Sequence, residues 1–323
     1  MPGPLRELAD RQLGVITRRQ AQSAGLTRDM ILARVDGGRW QRLHDGVFAM
    51  FSGPLSREAH LWAAVLRAGH GAALSHQTAA ELDRLTDRQS SLIHVTIPAS
   101  RRVSPIRGVH LHTRLRAEQA THPARLPPRT KIQETVLDLT DSCDELLDAI
   151  GWVTAALGRR LATPELLRAA MRDRPRIRWR KDLDFLLSPD LAGVLSALEY
   201  LYVRDVETAH GLPRGKRQAR VVRDWGSEYR DVLYEEFALV VELDGKLAHP
   251  GDKRWSDIRR DNAAAADGLA TLRYGFGDLR FGPCLVAGQL DQVLRTRGWT
   301  GVACRCSPRC PVRRGAPFPP PPN

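Results

Sequence analysis

The stretch that most limits how this chain can fold is Tyr229 to His249, which reads YRDVLYEEFALVVELDGKLAH. Tyr229 to Tyr234 and Ala238 to Asp244 are apolar, β-branched runs separated by a short acidic break, the pattern of a hairpin. Side chains alternate along a strand, so Glu242, Asp244 and, if the strand continues, Lys246 share one face. Asp231 lies on the partner strand and comes alongside them if the register allows. Three carboxylates and an amine at the end of an apolar hairpin are costly unless they bind something, and oxygen-rich sets of this kind suit Mg²⁺ or Mn²⁺. The plainer reading is a strand whose acidic residues face water beside a turn at Gly245.

The spacing D-x10-E-x-D-G-K-x-x-H resembles the metal-dependent PD-(D/E)XK endonuclease superfamily, most closely its branch similar to very-short-patch repair endonucleases, with an E-x-D-G-x-x-H signature. The resemblance implies a mixed sheet flanked by helices, with Asp231 and Glu242 as metal ligands and metal-assisted hydrolysis of a phosphodiester in DNA. Asp244 stands where the superfamily has lysine. Either Asp244 adds to the metal site and Lys246 or His249 moves the proton, or the site has lost activity. The same family bears an acidic residue on a helix before its sheet, which here points to Glu199, in the helical stripe Leu195, Glu199, Tyr202, Val206; the alternative is a glutamate at the edge of that stripe reaching solvent. Arg259 and Arg260 form a further part of the signature, either to bind phosphate or to pair with Asp257 and Asp261.

A formal charge of +12 and a pI near 10.1 call for a polyanionic partner, DNA first, although composition equally allows an anionic membrane surface. No apolar run reaches transmembrane length and MPGPLRELADRQ has no hydrophobic signal core, so a cytoplasmic protein is expected. Cys304, Cys306 and Cys310 near the end do not make a secreted disulfide framework. They could contribute to a zinc site, but a fourth ligand is missing locally and the flanks are proline-rich, which favours a reduced, unstructured tail.

Residues 1–52 read as a winged helix-turn-helix. Leu5 to Leu13 is a short helix, Thr17 caps a second one to about Ser23, and Ala24-Gly25-Leu26 makes the tight turn. Thr27 caps a third helix with an apolar face of Met30, Ile31 and Val35, ended by Gly37-Gly38, and Trp40 to Met50 forms the two-stranded wing around His44-Asp45-Gly46. That arrangement puts Thr27, Arg28 and Arg34 on the helix that would enter a major groove and Arg39 and Arg42 near phosphates. The order of elements, with Ile16-Thr17, Gln20-Ala21 and Gly25-Leu26-Thr27, resembles the N-terminal domain of AbiEi-type antitoxins of the type IV toxin–antitoxin class. The resemblance implies a DNA-binding autorepressor with a nucleotidyltransferase toxin as partner. A helix-turn-helix can also dock proteins.

Residues 53–171 are expected to form an α/β middle domain: helices over Ser56 to Ala68, Ser75 to Leu82 and Lys131 to Thr140, strands over Ser91 to Pro98 and Gly108 to Arg114, and a long helix from Asp144 to Met171. His94, His110 and His112 on these strands suggest a metal, but histidines on half-exposed strands are more simply surface residues. Residues 172–187 carry six basic residues between Arg172 and Lys181 and read either as a solvated linker or as a phosphate-contacting strap with Trp179. A nuclease-like α/β domain follows over 188–300, opening with a helix capped at Ser188, and 301–323 is expected to be disordered. The fold class expected is thus α+β, multidomain. The rival to a nuclease is a DNA-binding regulator in which the C-terminal fold serves only stability or partner binding.

Overall fold

The computed structural model describes residues 3–191, 194, 196–223, 226–244, 262 and 265–312. The chain is mixed α/β and divides into two compact units, Met1–Asp144 with Arg159–Arg178, and Glu145–Gly158 with Trp179–Asn323.

The first unit begins α1 (Gly3–Arg11), β1 (Val15–Thr17), α2 (Arg18–Ser23), α3 (Arg28–Asp36), β2 (Gln41–His44) and β3 (Val47–Ala49). Thr17 starts α2 through a capping box: its hydroxyl accepts from Gln20 N at 3.1 Å and Gln20 Oε1 accepts from Thr17 N at 2.7 Å. Gly25, at φ +90°, turns the chain between α2 and α3, and Thr27 Oγ1 accepts from Met30 N at 3.2 Å to start α3. The strands form an antiparallel sheet in the order β1-β3-β2, and Leu5, Ile16, Leu26, Ile31, Trp40 and Phe48 fill the core beneath. Met30, expected inside, is 42% exposed; Ile31 and Val35, one turn apart, supply the inward stripe instead.

The helix α4 (Arg57–Ala68), capped by Ser56, is apolar on two sides. Ala59, Trp62 and Ala63 pack with Val15 and Val47 of the first sheet, whereas Leu61, Ala64 and Val65 pack with Val95 and Ile97 of the next. The expected boundary near residue 52 is therefore not a break between compact bodies. The second sheet, β4 (Ala73–Leu74), β5 (Ile93–Pro98) and β6 (Val109–Arg114), pairs β4 with β5 antiparallel and β5 with β6 parallel. Around it lie α5 (His76–Leu82), the short α6 (Ala117–Ala120) and α7 (Ile132–Ser142).

The single helix expected over Asp144 to Met171 is two. Leu146–Gly158 (α8) packs in the second unit and Pro164–Arg172 (α9), opened by Thr163 with proline in its first turn, in the first. Neither alternative for the basic stretch describes Arg174. Its Nη2 lies 2.7 Å from both Glu134 Oε2 and Asp138 Oδ1, closing the first unit against α7, while Arg180–Leu186 (α10) belongs to the second.

In the second unit the helix expected from Ser188 starts at Ser196. Ser188-Pro189 opens only a 3-10 turn, Pro189–Leu191, and the Ser196-x-x-Glu199 sequence provides the stronger start, Ser196 Oγ accepting from Glu199 N at 3.1 Å. Ala197–Leu201 (α11) runs into a π-helical segment, Tyr202–Thr208. A four-stranded sheet follows, ordered β10-β9-β8-β7, from β7 (Lys216–Arg223), β8 (Gly226–Tyr234), β9 (Leu239–Asp244) and β10 (Ala270–Gly275). β9 and β10 are parallel and the other pairs antiparallel. Phe276–Phe281 (α12) and Pro283–Thr296 (α13) close the unit.

The segment expected to be a disordered tail is structured as far as it is described. Ala303, Cys310 and Val312 are buried in the same core as Tyr202, Val241 and Leu290, and Ala303 N donates to Asp291 Oδ1 at 2.9 Å. Three apolar side chains within ten residues outweigh the proline-rich flanks. No helix of the described residues is long and apolar enough to cross a membrane.

Candidate functional site

The Tyr229 to Asp244 hairpin is β8 and β9, joined through the 3-10 turn Glu235–Phe237 and Ala238 in left-handed conformation. Val232 pairs with Val241, Leu233 with Val240 and Tyr234 with Leu239. β9 is buried from Leu239 to Leu243 because β8 and β10 flank it and helices cover it, so a hydrophobic run replaces alternation. Beyond Val232 the registered pairing with β9 ends and Asp231 Oδ2 accepts from Leu243 N at 2.8 Å.

Glu242 is 8% exposed. Burial pushes its carboxyl pKa up, and the neighbouring charge of Asp231 pushes the same way against Arg230. Arg230, itself 1% exposed, places Nη1 3.3 Å from Glu242 Oε1 and Nη2 3.0 Å from Glu228 Oε1. The strand reading singled out the acids and missed this guanidinium, although Glu228 and Arg230 at i, i+2 share a strand face. Asp244, at the open end of β9, is 60% exposed at its side chain and lies 3.5 Å from Arg273 of β10. Glu199 is buried, accepting from Ser196 Oγ at 3.0 Å and Gln218 Nε2 at 3.2 Å. Asp231 and Glu242 thus come within electrostatic reach, whereas Asp244 turns to solvent. Among the described residues, no three of Glu199, Asp231, Glu242 and Asp244 have ligand atoms within 4.8 Å of one another. Lys246, His249, Arg259 and Arg260 lie outside the described residues.

At the other end of the chain, Thr27 is occupied in capping α3, Arg28 projects from its first turn, and Arg39 and Arg42 are exposed on the approach to the hairpin and on β2. Arg34 is half-buried, donating to Met30 O at 2.7 Å with its guanidinium 5.7 Å from the Trp40 ring centre.

Two sets of nitrogen and sulfur ligands are brought together, each joining part of the His94, His110, His112 and Cys304, Cys306, Cys310 candidates to residues remote in sequence. His76, His94 and His112 hold ring nitrogens within 4.8 Å of one another; His94 Nδ1 lies 3.0 Å from His112 Nε2, and His76 stacks on His112 with centroids 3.6 Å apart. The set has the donor spacing of a metal site, and the His94–His112 hydrogen bond also satisfies two of its nitrogens directly. The parallel register of β5 and β6 places His94 beside His110, and Ser75 N donating to His94 O brings in His76 at the start of α5. Burial first, then the neighbouring rings, lower His76 to about 2 and His112 to about 4. The second set is His210, Cys284, Cys306 and Cys310, within the second unit.

The order helix, strand, helix, turn, helix, two-stranded hairpin is that of a small helix-turn-helix module with a β-hairpin appended. Residues 4–50, which span it, match the family model described as "Transcriptional regulator, AbiEi antitoxin". The chain matches no curated protein. Among solved structures it is similar to the crystal structure of RV2827C protein from Mycobacterium tuberculosis, at 17% identity and a TM-score of 0.41, covering 68% of this chain and 87% of that one.

Proposed function

We propose that the chain is a DNA-binding transcriptional regulator of the antitoxin-like kind, reading duplex DNA through a winged helix-turn-helix at residues 4–50. The observation that carries the reading is the coincidence of the family match with the observed order α1-β1-α2-α3-β2-β3, capped where the sequence places Thr17 and Thr27. In this reading α3 enters a major groove with Arg28 foremost, while Arg39 and Arg42 sit against phosphates. Arg34, held against Trp40, stiffens the end of α3. A toxin protein is the second partner that the antitoxin resemblance implies.

On a fragment carrying the chain's own upstream region, Arg39→Ala and Arg42→Ala are expected to weaken binding equally on specific and random duplexes and to lower the salt slope by about one each. Arg28→Ala is expected to cost about 1–3 kcal/mol on the specific fragment only. Fluorescence anisotropy across a salt series measures both; unchanged slopes in all three variants would sink the reading.

A second reading rests on the acids of the C-terminal sheet. A carboxylate pair whose buried member has a raised pKa even beside Arg230 gains from a cation, and the helix-borne Glu199 accepts from Gln218 of β7 in the same mixed sheet. In this reading Asp231 and Glu242 would hold Mg²⁺ or Mn²⁺, and Asp244 and Glu199, whose ligand atoms do not converge with theirs among the described residues, would complete the acidic shell only on binding. The ion would lower the pKa of a water and neutralise phosphate charge. Lys246 would orient the attacking water, His249 would take or deliver a proton, and Arg259 and Arg260 would hold the phosphate. Glu242→Gln is then expected to abolish Mg²⁺-dependent nicking of plasmid DNA while its circular dichroism stays unchanged. A variant that nicks like the parent refutes this assignment without touching the regulator.

A further inference from the structure

Cys306 and Cys310, four residues apart in the last described segment, have no local partners that complete a metal site. The fold supplies them from elsewhere: Cys284 stands in the first turn of α13, and His210 follows the π-helical segment ahead of β7. One atom from each of the four lies within 4.8 Å of every other. Cys284 Sγ is 3.5 Å from Cys306 Sγ, and Cys310 Sγ is 3.5 Å from His210 Nε2. A tetrahedron with bonds of ~2.3 Å to sulfur and ~2.0 Å to nitrogen has edges of ~3.5–3.8 Å, so both separations are those of ligands around one ion.

The surroundings prepare the donors. His210 is fully buried and its Nδ1 lies 3.1 Å from Val206 O, which fixes the N–H on Nδ1 and leaves the Nε2 lone pair aimed at Cys310. Such an outer hydrogen bond to a carbonyl is what orients a metal-bound imidazole. Cys304 N donates to His210 O at 2.8 Å, and Cys310 N to Ser307 O at 3.0 Å, so the backbone holds both thiol-bearing turns in place. Cys310 and Ala303 are buried while Cys306 is exposed, which leaves an entry path from one side.

We propose that His210, Cys284, Cys306 and Cys310 bind one zinc ion in a closed, tetrahedral structural site that fastens residues 301–312 onto α13 and the π-helical segment of the second unit. Three thiolates and one imidazole select a soft, tetrahedral divalent ion, and four protein ligands leave no position for a substrate. The ion explains why a segment rich in proline and arginine is held against the core at all: Ala303 and Val312 flank the ligands on either side and are buried with them.

The test uses the full-length chain purified without added metal. Metal analysis is expected to give about one zinc per chain, falling to about a tenth or less in Cys310→Ala and staying unchanged in Cys304→Ser and Cys143→Ala. Cys304 is the stringent control, since it lies two residues from Cys306 and outside the ligand set. Should Cys310→Ala fail to fold, alkylation of the parent decides the matter: Cys143 and Cys304 are expected to react first, with Cys284, Cys306 and Cys310 protected until a chelator is added. Replacing zinc by cobalt(II) is expected to give the intense visible bands of a tetrahedral thiolate site. A parent protein without metal, with all five cysteines alkylated at the same rate or with Cys284 disulfide-bonded to Cys306, would overturn the proposal.

Discussion

Arg217→Ala is expected to destabilise the C-terminal unit by about 3–5 kcal/mol, the usual consequence of leaving a buried charge without its partner. Glu207 is 1% exposed and sits among Arg217, whose guanidinium donates to it, Tyr234 Oη at 2.5 Å and Gly215 N at 3.2 Å. Tyr202 and Tyr234 join hydroxyls at 2.8 Å behind it. Burial pushes the Glu207 carboxyl up and Arg217 is the main influence holding it down, so removing the arginine raises it further. A carboxyl raised above its unfolded value favours the folded state below the unfolded pKa and loses that advantage as pH rises through the folded one. The deficit of Arg217→Ala is therefore largest at neutral pH and shrinks on acidification. The double variant Arg217→Met with Glu207→Gln is expected to recover much of the loss. Urea unfolding followed by tryptophan fluorescence at neutral and acid pH measures all three. A single variant as stable as the parent at neutral pH would mean that Glu207 is already protonated in the fold.

The N-terminal elements were legible because their signals are local. Thr17 with Gln20, Gly25 and Thr27 each act within four residues, and the structure uses them as the sequence suggests. The hairpin β8–β9 was legible for the same reason, being two apolar, β-branched runs around a short acidic break. What sequence pattern could not show was which distant elements meet. α4 reads as one amphipathic helix, yet its two apolar sides join two sheets. Glu145–Gly158 crosses to the other unit because a break at 159–163, with Arg160 at positive φ, interrupts a run that looks helical throughout. The acids of the hairpin were found by their spacing, but Arg230 beside them was not, since an arginine in a basic chain attracts no notice until it is seen buried. The Cys and His sets were underread most of all. Their ligands come from positions up to 100 residues apart, and only the tertiary fold supplies the partners that a short motif lacks.

Lowering the pH from 7.5 to 4.5 is expected to destabilise the N-terminal unit steeply, and His76→Asn should flatten that limb. His76, His94 and His112 are each held below the ordinary imidazole value, by burial first and then by neighbouring rings, with Arg174 adding to the effect at His76. Unfolding releases rings that bind protons near pH 6.5, so the stability they contribute is complete above 6.5 and is lost as pH falls towards their folded values. For His76 alone, lowered to about 2, the loss reaches about 3 kcal/mol by pH 4. Two carboxyls of the same unit bear on the window: Glu134 is held low by Arg174 and Arg114 against its burial, so its contribution fades only below about pH 4.5, while burial pushes Asp138 up, so it adds stability as pH falls, an effect common to parent and variant that cancels in their difference. Asn suits the site because His76 sits at φ +48°, a conformation asparagine tolerates better than most residues. Urea midpoints of both proteins, measured with a chelator present so that no metal bridges the rings, give the slope directly. The parent should lose more stability per pH unit than His76→Asn by roughly the 1.4 kcal/mol that one additional proton carries. Superimposable limbs between pH 6.5 and 4.5 would mean that His76 shares its protons with solvent, and that the stack is an arrangement of surface rings rather than a buried neutral one.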